Sequence, residues 1–186
     1  MITSEWNDPL FLIFVLGFVI VLASTQFKSR RKMMFTKFLG DHVNALYTFM
    51  MGGMSGALGG VIAGLGALIQ ALTPDEYLKK TLWPRIILAT ILAVVSLYFF
   101  YEKPVDLLPM IAIVFCRFME LHHDAEKIRW AFFWAGGLWV SYFIIEHIPL
   151  MALTSGLMSA MLLVAILRHR KNDKTNRHAE PIEDVA

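Results

Sequence analysis

Three polar residues close together in an apolar region are the first candidates for chemistry. Asp41, His42 and Asn44 stand at the start of a long uncharged stretch, residues 44–72. Polar groups inside an apolar segment are costly to bury and often mark a functional site. Histidine can pass a proton near neutral pH, and an asparagine amide can hydrogen-bond a polar solute. The alternative is that these residues lie at a lipid–water boundary and only cap or anchor a helix.

Aromatic residues extend this candidate binding site. Tyr47 lies one helical turn after Asn44, and Trp139 and Tyr142 occur in a later apolar run. If the two tyrosines face a central cleft, they line a path for a small polar solute; packing or an aromatic belt at the membrane interface is the alternative. The predicted substrate-binding residues are therefore His42, Asn44, Tyr47, Trp139 and Tyr142.

Catalytic, metal and cofactor sites are not indicated by the motifs. His122, His123, Asp124 and Glu126 share one loop, but no second group of ligands accompanies them. Neither HExxH nor CxxC occurs, and the glycine-rich GGMSGALGG is not followed by Gly-Lys-Ser/Thr. No nucleophile elbow is evident. We therefore predict that the protein is not an enzyme and binds no metal or cofactor.

The composition is that of an integral membrane protein. Of the 186 residues, 57% are hydrophobic, and the mean hydropathy is +0.58. Soluble domains contain roughly 45–50% apolar residues. A net charge of +2 is too small and too dispersed to indicate nucleic-acid binding. Glu5 and Asp8 precede the first apolar run, where a signal peptide would be basic, so we expect no cleaved leader.

Breaker residues divide the chain into apolar runs that predict seven membrane helices. One helix over residues 44–72 would exceed a hydrocarbon core of about 30 Å, so the alternative is two helices with a turn at Gly52-Gly53. The runs cover residues 9–25, 36–51, 55–72, 83–101, 104–118, 130–145 and 149–167.

The basic residues decide between these alternatives. With a turn at Gly52-Gly53, sixteen of the seventeen basic residues fall on one side of the membrane and only Lys103 on the other. This asymmetry is typical of cytoplasmic loops. The predicted fold is an all-α polytopic membrane protein with about seven transmembrane helices, N-terminus out and C-terminus in. Its segments are a three-helix unit (1–73), a connector helix (74–103), a second three-helix unit (104–169) and a disordered cytoplasmic tail (170–186).

Small residues and one proline predict close packing and a hinge. Gly52, Gly56, Gly60 and Gly64 recur every fourth residue and would share one face of a helix. Such a face lets a neighbouring backbone approach closely, and a homodimer through it is one hypothesis. Pro109 is expected to kink the fifth helix or act as its hinge.

A weak internal repeat accompanies the predicted helix order. Parallel repeats related by an axis along the membrane normal are a known transporter plan. A shift of 95 residues aligns Pro9 with Pro104, Leu12 with Leu107, Lys32 with Lys127, Tyr47 with Tyr142 and Leu58 with Leu153.

Short motifs of the second half match a known pattern. Asp106-Leu107-Leu108-Pro109 opens one helix, Trp139 and Tyr142 lie in the next, and Arg168 closes the last. In these features, and in the spacing around Asn44-Ala45-Leu46-Tyr47, the chain resembles the bacterial YgjV-type inner-membrane protein family. The resemblance implies a bacterial inner-membrane protein whose topology is similar to SWEET and PQ-loop carriers. The chain has no Pro-Gln pair and no match for the asparagine that SWEET carriers present to sugar.

Two functional hypotheses follow. The first is a transporter or facilitator that moves a small polar solute by alternating access, with the lipid bilayer and the solute as its partners. The second is a non-transporting membrane scaffold or regulator that acts through its cytoplasmic loops and tail. An intramembrane enzyme is the weakest reading, because no paired catalytic groups have convincing spacing.

Overall fold

The computed structural model of the protein describes residues 9–24, 27, 29–119 and 125–179. Within these residues the chain forms seven α-helices and no β-strand, which confirms the all-α prediction for this part of the chain. The helices are α1 (Pro9–Ser24), α2 (Arg30–Met50), α3 (Met54–Leu72), α4 (Leu82–Phe100), α5 (Leu107–Met119), α6 (Ala125–Ile145) and α7 (Pro149–Ala179). Single 3-10 turns occur at Asp75–Tyr77 and Pro104–Asp106.

The predicted break in the uncharged stretch lies at Gly52, between α2 and α3. Gly52 has a φ angle of +87°, a left-handed conformation that glycine adopts without the steric cost of a Cβ. The N–H of Gly53 donates to the carbonyl of Thr48 at 2.9 Å and so satisfies one of the carbonyls at the end of α2. Residues 44–72 therefore belong to two helices, as the distribution of basic residues predicted.

Three helices extend further into charged sequence than the apolar runs predicted. α2 begins at Arg30 instead of residue 36, α6 begins at Ala125 instead of residue 130, and α7 continues to Ala179. An apolar run marks the part of a helix that avoids water, whereas arginine and lysine are themselves good helix formers. The structure thus differs from the predicted disordered tail at residues 170–179, which are helical.

Length and apolar composition identify two of the described helices, α3 and α4, as able to cross a membrane. Shorter apolar helices cover Pro9–Ser24, Trp130–Ile145 and Pro149–Val164. Much of α4 presents large apolar side chains outward: Ile87, Ile91 and Val94 are more than half exposed, and Tyr98 is 82% exposed. An exposed apolar face of this extent is typical of contact with lipid or another protein.

The helices pack largely in chain order. α2 lies between α1 and α3, α6 lies between α5 and α7, and α4 contacts both α3 and α5. The helices thus form two groups, α1–α3 and α5–α7, and a direct contact between α3 and α5 joins them. One hydrophobic cluster combines Phe14 and Tyr47 from the first group with Val105, Tyr142, Phe143, Ile148 and Met151 from the second. A second cluster combines Ile62, Ala89, Ala93, Met110 and Ile113 on α3, α4 and α5.

The helix bounds of the two halves are related by the same shift of 95 residues that aligns their sequences. Adding 95 to the bounds of α2 gives the bounds of α6. The same addition carries α1 onto residues 104–119, which comprise the second 3-10 turn and α5. It also carries Met54, where α3 begins, onto Pro149, where α7 begins. The helices of the first half thus recur in the second half in the same order and at equivalent positions, although α7 (31 residues) continues well beyond the length of α3 (19 residues).

The turns between these helices also recur. Gly52 and His147 are 95 residues apart, and both have positive φ angles, +87° and +56°. The closing backbone hydrogen bonds are equivalent as well, because the N–H of Gly53 donates to Thr48 (2.9 Å) and the N–H of Ile148 donates to Phe143 (2.8 Å). The same local turn geometry is therefore built twice, from different residue types.

Candidate functional site

A cavity of about 690 Å³ lies inside the helix bundle, and residues of all seven helices line it. The C-terminal ends of α1, α3 and α5 lie at one end of the bundle, which we call the basic end. The opposite end contains the turns at Gly52 and His147, and we call it the turn end. Lys79, at the basic end of the lining, is exposed to solvent. Phe143 and Met151, toward the turn end, are buried. The cavity therefore reaches the surface at the basic end and is closed toward the turn end.

Asn44 lines this cavity from the middle of α2. Its Oδ1 atom is buried and has no hydrogen-bond partner among the described residues. The amide lies against Gly17 of α1, where a Cβ would overlap it. A buried amide oxygen without a donor has lost its hydration without compensation, and such atoms are rare in folded proteins. The Asn44 oxygen thus lies buried against α1, and its hydrogen-bonding capacity is unused among the described residues.

His42 and Asp41 also lie halfway along α2, further from the helix start than the sequence suggested. The His42 ring packs on Phe38, and its Nδ1 lies 2.8 Å from the Phe38 carbonyl. His42 faces Gly64 of α3 and does not line the cavity. Asp41 does line it, and its carboxylate pairs with Lys37 at 2.6 Å. The structure therefore separates this polar cluster, since only Asp41 and Asn44 reach the cavity.

The predicted aromatic residues occupy two levels of the bundle. Trp139 lines the cavity from α6, at the position that the 95-residue shift relates to Asn44. Tyr47 and Tyr142, related by the same shift, lie beyond the closed end of the cavity in one buried cluster. Tyr47 is 3% exposed, and the centroid of its ring lies 5.4 Å from the centroid of the Phe14 ring. Tyr142 has no exposed surface. In this conformation the tyrosines close the cavity and Trp139 forms part of its wall.

A buried polar network joins α3 and α6 to the 3-10 turn that precedes α5, at the turn end. Ser55 Oγ donates to Asp106 Oδ1 at 2.6 Å and lies 3.1 Å from the Tyr142 hydroxyl. The backbone N–H of Gly56 donates to the same hydroxyl at 2.9 Å. Ser55, Asp106 and Tyr142 are each at most 5% exposed. We call these three side chains the turn-end network; they fasten the first half of the chain to the second beyond the closed end of the cavity.

Asp106 also organises the segment between α4 and α5. Its Oδ2 accepts hydrogen bonds from the N–H groups of Glu102 (3.1 Å) and Lys103 (3.0 Å). Burial raises the pKa of Asp106, but the hydrogen bonds from Ser55, Glu102 and Lys103 outweigh it and hold the pKa below its usual value. A hydrogen bond to Glu146 raises the pKa of Lys103. Asp106 therefore caps the start of this segment, as the third residue of a capping box that begins at Lys103, and it does so from a buried position.

The four predicted glycines do not share one neighbour. Gly52 has no atom near its missing Cβ and lies outside α3, so it serves the turn instead of a packing face. A Cβ at Gly56 would overlap the Tyr142 ring of α6. At Gly60 and Gly64 the nearest side chains belong to α2, with the Ala45 Cβ 3.0 Å away and the His42 ring 2.6 Å away. The stripe therefore packs against two different helices.

Pro109 occupies a different position from the predicted kink. It is the third residue of α5, a helix that follows directly on a 3-10 turn. In a first turn the N–H that proline lacks has no intrahelical partner in any case, so no interior hydrogen bond is lost. Pro109 is fully buried, and its Cβ would lie 3.2 Å from a Cβ at Gly59 on α3. Its position is that of a packing residue at the start of the helix.

Substitution of Gly60 by leucine should disrupt the contact between α2 and α3. The new side chain has to enter the space beside the Ala45 Cβ and the Asp41 carbonyl, 3.0 Å and 3.5 Å from a Cβ at this position. Overpacking of this kind costs roughly 2 kcal/mol, and we expect loss of folded protein on size-exclusion chromatography in detergent. Gly137→Leu is the matched control, because nothing lies within 4 Å of a Cβ there. Equal yields and thermal midpoints for both variants would contradict the packing role of Gly60.

Two groups of residues in the site escaped the sequence analysis. The first is the pairing of Ser55 with Asp106. The second joins Gln70 to two arginines at the basic end of the cavity. With the Gln70 amide oxygen turned toward them, it accepts from Arg117 Nη1 at 2.9 Å and Arg85 Nη1 at 3.1 Å. The available signal was the position of Arg117 within the apolar run of residues 104–118.

A metal site was not predicted, and the described residues contain no group of three potential metal ligands. His122, His123 and Asp124 of the polar loop lie outside the described residues. The prediction for that loop therefore stays untested.

A family model described as a bacterial inner membrane protein, Imp-YgjV, matches residues 11–173, which include all seven described helices almost in full. No curated protein and no solved structure shows significant similarity to the chain.

Proposed function

The chain belongs to the Imp-YgjV family of bacterial inner membrane proteins, and from this premise we propose that it moves a small polar solute across that membrane by alternating access. The family membership confirms both the suspected resemblance and the inner-membrane location. It also implies that the exposed apolar side chains of α4 contact the lipid bilayer. The solute, the transport step and the topology below are parts of our proposal.

In the proposed topology all seven helices cross the membrane, with the N-terminus outside and the basic end in the cytoplasm. The positive-inside asymmetry supports this orientation. α1 has 16 residues and α5 has 13, so at about 1.5 Å per residue both are shorter than a 30 Å hydrocarbon core. Local thinning of the bilayer accommodates short spans of this kind at modest cost.

We further propose that α1–α3 and α5–α7 are two copies of one three-helix unit, joined by α4 as connector. The matching helix bounds and the matching turns at Gly52 and His147 support this arrangement. An odd connector helix restores orientation, so the two units would be parallel repeats. In known transporters the substrate site lies at the interface of such repeats, near the middle of the membrane.

The observation that carries the proposal is a cavity open at one end only. The cavity reaches the surface at the basic end, while the aromatic cluster and the turn-end network close it at the other. Its wall combines apolar side chains with a few polar residues, among them Asn44 and Asp41, as ligand sites usually do. In the proposed cycle this is the inward-open state, and opening of the turn end gives the outward-open state.

A thermal-stability screen tests whether the cavity binds a solute. Sugars, nucleosides, vitamins, amino acids and organic acids would be added to detergent-purified protein. A ligand at about a hundred times its Kd should stabilise the folded state by roughly 2.7 kcal/mol. Asn44→Leu should abolish the shift because it removes a polar side chain from the cavity wall. His42→Ala is the matched control, since His42 lies on the same helix but not in the wall.

If no compound raises the thermal midpoint, or if Asn44→Leu leaves such a rise intact, the result would count against this binding site. The second hypothesis, a membrane scaffold or regulator, would then gain weight. One observation favours it specifically: α7 continues to Ala179, so a helix carries Arg168, Arg170 and Lys171 beyond its apolar part. That hypothesis predicts that removal of residues 172–186 produces a phenotype while Asn44→Leu does not.

A further inference from the structure

We infer that the solute is an aromatic heterocycle, a planar ring with hydrogen-bonding groups on its edge, which lies between a polar side of the cavity on α2 and an aromatic side on α6. This inference rests on the proposed function, because it names the chemical class of solute for the same cavity. It depends on which residues of each half line the cavity and on the chemical difference between equivalent positions.

The two halves of the chain line the cavity with equivalent residues. Phe18 and Val21 line it from α1. The shift of 95 residues carries them onto Ile113 and Cys116, which line it from α5. The same shift relates four lining residues of α2 to four of α6, and four of α3 to four of α7. Parallel repeats related by an axis along the membrane normal have equivalent residues on opposite sides of that axis. In the proposed arrangement the cavity therefore surrounds the repeat axis, and α2 faces α6.

The α2 side of the cavity is polar. Its lining residues with equivalents on α6 are Lys37, Asp41, Asn44 and Thr48. Asp41 pairs with Lys37 at 2.6 Å, so these two charges compensate each other. Thr48 Oγ1 donates its proton to the Asn44 carbonyl at 2.8 Å, which leaves the hydroxyl oxygen as an acceptor. Because a side-chain amide both donates and accepts, this side carries both kinds of hydrogen-bonding group.

The equivalent side, on α6, is aromatic. The shift carries the four polar residues of α2 onto Phe132, Gly136, Trp139 and Phe143. The Trp139 ring stacks on the Phe143 ring, with 5.5 Å between the ring centroids and 26° between the ring planes. Close packing accounts for Phe143, which is 2% exposed, whereas Trp139 is only partly buried. Aromatic side chains attract planar rings in offset-stacked or edge-to-face arrangements, so Trp139 is suited to contact one.

Opposite chemistry at equivalent positions makes the cavity amphipathic across its width. Asn44 and Trp139 are related by the shift, and both line the cavity. A solute between them meets hydrogen-bonding groups on one side and an aromatic ring on the other. A polyol matches only the polar side, and an alkyl chain leaves that side unmatched. An aromatic heterocycle matches both sides, because its π face and its polar edge belong to the same ring.

Matched nucleosides test the inference. Uridine has a planar ring, whereas 5,6-dihydrouridine keeps the ribose and the hydrogen-bonding edge but has a saturated, puckered ring. Ribose lacks the ring, and adenosine provides a second planar one. The cavity of about 690 Å³ is of the size that binds small organic molecules, roughly 300–1,000 Å³. Binding of each compound to the full-length protein in detergent would be measured by isothermal titration.

We expect uridine or adenosine to bind, and 5,6-dihydrouridine to bind about fivefold or more weakly than uridine, as loss of one stacking interaction does. Trp139→Leu should weaken binding of the planar nucleosides by the same factor and leave 5,6-dihydrouridine nearly unchanged, because ring and indole act as a pair. Asn44→Leu should weaken uridine and 5,6-dihydrouridine alike, since they share the polar edge.

Trp134→Leu is the matched control, the same substitution on the same helix. Trp134 is 62% exposed and is not part of the cavity wall, so its loss should leave nucleoside binding unchanged. If Trp139→Leu does not fold, Trp139→Phe keeps an aromatic ring at the same place. That variant should still bind uridine more tightly than 5,6-dihydrouridine.

Three outcomes would overturn the inference. Equal binding of uridine and 5,6-dihydrouridine would show that planarity is not recognised. Equal binding of ribose and uridine would remove the ring from recognition altogether. No binding of either planar nucleoside would reject the class. The proposed function itself fails on a separate readout, if the cavity never becomes accessible from the outer side.

Discussion

Replacement of Asp106 by alanine should lower the thermal midpoint of the detergent-purified protein by roughly 6 to 12 °C. The substitution removes the acceptor of three hydrogen bonds, a buried one from Ser55 Oγ and two partly buried ones from the N–H groups of Glu102 and Lys103. Loss of a cap and the resulting unsatisfied donors together cost about 3 kcal/mol. Circular dichroism during heating in a single detergent measures the midpoint.

Two controls separate this network from a general effect of removing a carboxylate. Asp106→Asn keeps one acceptor oxygen for the two backbone N–H groups and should lose less stability than the alanine variant. Asp41→Ala removes a carboxylate whose partner, Lys37, lies one turn away with a 42% exposed side chain. Pairs of this kind contribute less than about 1 kcal/mol. Equal midpoints for Asp106→Ala and Asp41→Ala would show that the turn-end network does not stabilise the fold.

The helices were predictable because their signals are local. Proline and Gly-Gly breakers separate the apolar runs, and each described helix contains one of the predicted runs almost in full. The turn at Gly52 needed one further constraint, the distribution of basic residues across the membrane. The starts of α2 and α6 and the end of α7 were misplaced because charged residues extend a helix without changing the apolar pattern.

For the candidate site, the sequence predicted only those relations between residues that follow from the internal repeat. The 95-residue shift relates Asn44 to Trp139 and Tyr47 to Tyr142, and in the structure each pair lies at one level: the first in the cavity wall, the second beyond its closed end. The proton-transfer hypothesis for His42 gains no support from its position, because the ring faces Gly64 and the Phe38 carbonyl instead of the cavity. Helical spacing gives the face of a residue only relative to its own helix.

Contacts between distant parts of the chain had no sequence signal. Ser55 and Asp106 are 51 residues apart, and Ser55 and Tyr142 are 87 apart. A serine near the start of an apolar helix also satisfies the pattern of small packing residues, so its type alone does not reveal a polar partner. The different neighbours of Gly56 and Gly60 have the same explanation, since the packing partner of each glycine depends on how α3 crosses α2 and α6.

Tyr142→Phe should make the cavity accessible from the turn end. The variant keeps the buried ring but removes the hydroxyl that accepts from the Gly56 N–H and lies 3.1 Å from Ser55 Oγ. The two interactions together contribute roughly 1.4 kcal/mol to the closed turn end. If the open and closed states exchange, their ratio should change about tenfold. Cys116 reports this change directly, because it is the chain's single cysteine and lines the cavity.

The measurement is the rate at which a membrane-impermeant maleimide labels Cys116 from each side of the membrane. Wild-type protein should react from the cytoplasmic side in inverted vesicles and slowly in spheroplasts, whereas Tyr142→Phe should react about ten times faster in spheroplasts. Tyr98→Phe is the matched control, since Tyr98 is 82% exposed on α4 and outside the turn-end network. Slow outer labelling in both variants would mean that the turn end does not open, and alternating access would lose its structural basis. Fast labelling in Tyr142→Phe alone would identify the turn-end network as the outer gate, because the two substitutions make the same chemical change and differ only in place.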